Sequence, residues 1–148
     1  MKKSVIIIIA LIYVISIALV SFFGLQFKVF EEIIPVEKIE IQNSYVYNGQ
    51  QYPKYKAEAN QETGETLQLP YFIIEPNSEG ERLFQIEYRV YPDNATDARA
   101  RFSIDETIQG VSVSEEGLVR FEKAGAATVY ITPADGSDFK TKIIIIAK

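Results

Sequence analysis

One stretch constrains this chain more than any other: between Lys3 and Lys28 there is no charge at all. Val5 through Leu25 is apolar except for Ser16, Ser21 and Gly24. At a rise of about 1.5 Å per residue, those positions extend about 30 Å as a helix, the thickness of a bilayer's hydrocarbon layer. We therefore expect one transmembrane helix over 5–27, with a cytoplasmic tip at 1–4 and a short stem at 28–35. Lys2 and Lys3 precede the run, and Glu31 and Glu32 follow it despite Lys28. By the positive-inside rule the N-terminus is cytoplasmic and the rest of the chain extracytoplasmic, a single-pass protein of the cell membrane. The competing reading is a cleaved leader. Ser16-Ile17-Ala18 fits a small-x-small site, but the apolar run continues through Leu19, Val20, Phe22 and Phe23, where a cleaved chain turns polar. The balance favours a retained anchor.

Behind the helix the character changes. All 20 acidic residues lie there with 13 of the 15 basic ones, a balance of −7. That charge argues against nucleic acid, and against holding an anionic lipid surface by charge alone. Short β-rich runs separated by turn signals begin after Pro35: 36–41, 44–52, 65–76, 81–92, 98–104, 117–123, 126–133 and 139–148. Several alternate as half-buried strands do. Phe84, Ile86, Tyr88 and Val90 fall on one face against Gln85, Glu87 and Arg89. Ala100, Phe102 and Ile104 alternate with Arg99, Arg101 and Ser103. About eight such strands without a helical pattern imply an all-β domain, a β-sandwich, over 36–148. The closing run of four isoleucines, 143–146, reads as a strand buried on both faces.

The segment "GERLFQIEYRVYPDNAT" (80–96) resembles the second-strand signature of group 2 bacterial immunoglobulin-like domains, with Gly-Glu, alternating apolar positions and then Pro-x-Asn-Ala-Thr. "ARARFSID" (98–105), "VSVSEEGLVRF" (111–121) and "KAGAATVYITPADGSDFKTKIIIIA" (123–147) follow in the family's order. The resemblance covers 80–147, and "VEKIEI" (36–41) is similar to the opening strand. Residues 45–79 exceed the family pattern, and Phe102 stands where the family carries a tryptophan. The resemblance implies an immunoglobulin-like sandwich with an extra hairpin region near 44–65. It further implies a bacterial, non-catalytic domain of the cell envelope.

Asn94-Ala95-Thr96 also reads as a glycosylation sequon. The simpler reading is a turn, with Pro92 presetting φ and Asp93 and Asn94 bonding back to the following backbone. Asp93 and Asp97 do not match a calcium-loop spacing, and Asp135 and Asp138 lie in a turn, so no metal is expected. The sequence holds no histidine and no cysteine, which removes the commonest general base, nucleophile and soft metal ligands. Glu31-Glu32 and Glu115-Glu116 are adjacent pairs whose side chains point apart, and Glu115-Glu116-Gly117 reads as a hairpin tip. We expect no catalysis and no cofactor.

Two features remain as candidate binding sites. Asn48-Gly49 is a strong hairpin signal; it pairs residue 47 with 50 and 45 with 52, and so places Tyr45, Tyr47 and Tyr52 on one face. Such rings either anchor a protein or sugar contact or pack onto the sandwich. In the membrane segment, Ala10, Ala18, Ser21 and Gly24 fall within one arc of about 120°, where small side chains let another helix approach. A domain on so short a stem is expected to meet a neighbouring membrane protein or a nearby envelope polymer. The expected function is a binding or accessory subunit of a membrane or envelope assembly. The alternative is a cleaved, exported glycan-binding domain.

Overall fold

The computed structural model describes residues 2–26 and 32–148. Lys28 and Glu31 of the orientation argument, the helix end expected at residue 27, Met1 and residues 28–31 of the 28–35 stem lie outside the described residues.

A helix, α1 (Lys3–Gln26), forms from the charge-free run and is long and apolar enough to cross a membrane. Its large side chains from Val5 to Phe23 are 42–70% exposed. The Ser16 hydroxyl donates to the Ile12 carbonyl at 2.8 Å, so its polar atom is satisfied within the helix. Ala10, Ala18, Ser21 and Gly24 all lie on α1.

A separate compact unit, Ile34–Lys148, is built of strands. They are β1 (Lys38–Ile41), β2 (Tyr45–Tyr47), β3 (Gln50–Tyr52), β4 (Lys54–Ala59), β5 (Thr66–Ile74) and β6 (Arg82–Gln85), and then β7 (Tyr88–Tyr91), β8 (Ala100–Ile104), β9 (Val111–Val113), β10 (Leu118–Phe121), β11 (Gly125–Pro133) and β12 (Thr141–Ala147). The expected β-rich domain behind one helix is thus observed. A five-stranded sheet runs β4-β5-β12-β11-β8, a three-stranded one β6-β10-β9, and β1-β7 and β2-β3 form pairs. The pairings are antiparallel except β5 with β12.

One core joins these sheets. Phe72 of β5 meets Phe84 of β6 with ring centroids 4.8 Å apart. Val119, Val129, Ile131, Ile143 and Ile145 are fully buried beside them. The four-isoleucine run therefore divides its faces: Ile143 and Ile145 enter the core, while Ile144 and Ile146 are only half-buried on the other side of the sheet. β12 sits between β5 and β11 with both edges paired, and this position explains the unbroken apolar run.

The sequence reads 81–92 as one strand, but the chain changes partner midway. β6 pairs with β10 and β7 pairs with β1. At the change, Asn43 donates to the Gln85 carbonyl at 2.8 Å and accepts from the Glu87 N–H at 2.8 Å. Ile86 N–H is taken by the Gly117 carbonyl at 2.9 Å. The apolar alternation survives, with Phe84, Ile86 and Val90 all buried, so nothing in its period marks the break. β4 is a strand without a core-forming face: in KYKAEA, Tyr55, Ala57 and Ala59 alternate with Lys54, Lys56 and Glu58 but stay exposed, and the strand exists by pairing along β5 as an edge.

Candidate binding surfaces

The tyrosine hairpin folds in the register its turn dictates. Asn48 and Gly49 take φ of 47° and 72°, and Tyr45 pairs with Tyr52 and Tyr47 with Gln50. Tyr45 stacks on Tyr52 at 5.6 Å, and Tyr47 meets Tyr52 edge-on at 6.2 Å. The cluster continues inward: Tyr45 lies 6.1 Å from Phe72 and Tyr52 lies 6.1 Å from Tyr71. Tyr45 Oη donates to the Ile73 carbonyl at 2.7 Å, and burial, its largest influence, raises its pKa. Tyr47 Oη bonds the Glu75 carboxylate, which raises the Tyr47 pKa. Tyr52 is 3% exposed, whereas Tyr45 and Tyr47 are half-buried. The hairpin covers the end of β5 that β4 does not reach, since β4 stops pairing at Tyr71. Tyr52 belongs to the core, and Tyr45 and Tyr47 pack against it while staying partly exposed.

The Pro92–Thr96 turn does a different job from the one its residues suggest. Ala95 N–H bonds back to the Pro92 carbonyl at 3.0 Å, as a turn should. The Asp93 carboxylate, however, reaches back to Arg89 in a two-bond pair at 3.0 and 3.1 Å. Thr96 exchanges two bonds with Ile34: its N–H donates to the Ile34 carbonyl at 2.9 Å and its hydroxyl accepts from the Ile34 N–H at 2.8 Å. Two residues on, the Asp135 carboxylate accepts the Val36 N–H at 2.8 Å. Thr96 and Asp135 thus pin the first residues of the β unit. No local sequence signal marks this clamp, because its residues lie up to 99 positions apart.

Of the acidic side chains considered for metal, Asp93, Asp97 and Asp135 have protein partners. Asp97 pairs with Arg99, whose hydrogen bonds lower its pKa to about 2. Asp135 accepts from the Ser137 N–H as well as from Val36, and its pKa is lowered by both residues. Among the described residues no three His, Cys, Asp or Glu gather as a cation would need. Glu115 and Glu116 occupy the tip between β9 and β10, where Gly117 N–H bonds the Ser114 carbonyl at 3.1 Å.

A cleft of about 720 Å³ opens beside that tip, lined by Tyr88, Arg99–Phe102, Val113–Glu116 and Ala134. Its floor is Phe102, which meets Tyr88 edge-on at 5.6 Å. Gly117 permits the close approach at its back. With φ of +84°, it would bring a Cβ within 2.9 Å of the Phe102 ring. No protein-family model matches this chain, and no curated protein matches it.

Proposed function

We propose that the chain is a single-pass membrane protein whose β unit is an immunoglobulin-like sandwich on the extracytoplasmic side. It serves there as a non-catalytic binding or accessory subunit of a membrane or envelope assembly. The observation that carries this reading is α1: 24 residues without an acidic group in the first turn or a basic one in the last, apolar on every side. A helix hydrophobic all round belongs in a membrane or a large core. The β unit has its own core without it. The two lysines ahead of the run set the N-terminus inside.

Support for the immunoglobulin-like assignment comes from the order of the motifs in 80–147 and from one core shared by the sheets. The excess residues at 45–79 form β2 to β5, an addition of hairpin and edge strand around the β5 margin. A non-catalytic role draws on the absence of histidine and cysteine from the sequence. The exported glycan binder draws less support, because one of its three rings is 3% exposed. The test is fractionation of cells expressing the chain with a C-terminal tag. We expect the tag in the membrane pellet after high-salt and alkaline washing; release into the wash would remove the anchor from the account.

A further inference from the structure

β8 and β9 are outer strands of two different sheets, and the 105–110 connection ties them at one end only. At the other end they separate, and the cleft fills the gap. Its two walls carry opposite charge. Arg99 and Arg101 stand on the β8 side, Glu115 and Glu116 on the side of the tip after β9. Arg99 is held by Asp97 at 2.8 Å, while the Arg101 guanidinium makes no hydrogen bond among the described residues. Neither glutamate carboxylate accepts one there either. Asp97 acts on Arg101 only through space, so among the described residues the Arg101, Glu115 and Glu116 charges have no direct side-chain hydrogen bond or ion pair.

The backbone of β8 points the same way. Ala134 N–H donates to the Arg99 carbonyl at 2.9 Å, and Ala100 lies opposite Pro133, which has no N–H. In an antiparallel ladder the bonding alternates, so Arg99, Arg101 and Ser103 bond toward β11, while Ala100, Phe102 and Ile104 present N–H and C=O groups to the open side. Tyr88 Oη takes the first of these, the Ala100 N–H, at 3.4 Å. The groups of Phe102 have no strand beside them.

We propose that this cleft takes an extended peptide of a partner protein, added antiparallel to β8 as a further strand. The proposal rests on the reading of the β unit as a binding module and names where it binds and what. An unpaired edge supplies main-chain bonds, and the flanking side chains select sequence. The register follows from β8. The peptide residue opposite Arg101 lies on the outer face of the sheet and is acidic. The next residue, opposite Ala100, faces the glutamates and is basic. The residue opposite Phe102 is apolar and packs on the ring.

The test uses the full chain in detergent micelles and two dye-labelled probe peptides, TTVDK-amide and TTVKD-amide, followed by fluorescence anisotropy. They share composition and net charge and differ only in which wall each charge meets. Cross-strand charge pairs supply the discrimination, and we expect TTVDK to bind about fivefold tighter or more. Arg101→Glu, a change at an exposed position, should abolish or reverse that preference with an unchanged far-ultraviolet circular dichroism spectrum. Equal binding of the two peptides, no saturable binding by either, or a preference that survives Arg101→Glu overturns the proposal. None of these outcomes alters membrane retention, so failure here and failure of the anchor are separately readable.

Discussion

Tyr52→Ala is the sharpest test of what the tyrosine hairpin is for. The ring is 3% exposed and touches Tyr45, Tyr47 and Tyr71 at 5.6, 6.2 and 6.1 Å. Removing a buried aromatic to alanine costs roughly 3–5 kcal/mol. In a domain of this size that corresponds to a fall in Tm of roughly 10–20 °C. Tyr52→Phe keeps every ring contact, and among the described residues the hydroxyl makes no hydrogen bond, so it should stay within about 1 kcal/mol of the parent. The assay is urea unfolding of the 34–148 fragment by circular dichroism, which also tests whether that unit folds alone. A Tyr52→Ala loss below about 1 kcal/mol would refute the argument, because a ring that closes the core cannot be removed at so little cost.

Three further outcomes follow from specific contacts. Asn43→Ala removes both bonds at the β6–β7 partner change and should cost about 1–3 kcal/mol by the same urea assay. Acid should weaken the fold through Asp97, whose carboxyl is depressed from 3.8 to about 2 by its hydrogen bonds with Arg99. A depressed carboxyl contributes stability that is present above its unfolded value and lost as pH falls from about 3.8 through 2, so Asp97→Asn should flatten the Tm profile in that window and leave its shape above pH 5 unchanged. In the membrane, Ala18→Leu or Gly24→Leu should reduce copurification with a partner from solubilised membranes, while Ile8→Leu or Ile15→Leu should not; equal yields would leave α1 a plain tether.

Much of the fold was legible because its signals are local. The Asn48-Gly49 pair fixed the hairpin register through the positive φ that type I′ turns require. The charge-free run marked α1, and alternation marked the strands that carry the core. What escaped depends on distance along the chain. The break at Ile86 and Glu87 comes from a change of partner strand, and apolar alternation is identical whichever sheet a strand joins. β4 has the composition of a solvent segment and is a strand only because β5 offers it an edge. The cleft was hidden for the same reason. "ARARFSI" and "SEEG" showed alternating charge and a turn, but only the topology makes β8 and β9 neighbouring free edges. Individual rings were legible in position and open in role: one face was right for Tyr45, Tyr47 and Tyr52, and it is the face that packs against the core.

The central claim is that a retained helix holds the β unit at the outer membrane–water boundary. Protease treatment of intact cells, with a C-terminal tag followed in the membrane fraction, tests both halves together. The account expects full-length protein, uncut after Ala18 by intact-mass measurement, that sediments with membranes and loses its tag to protease added outside. A soluble product beginning near residue 19, or a membrane-bound tag protected until the cells are opened, would contradict it.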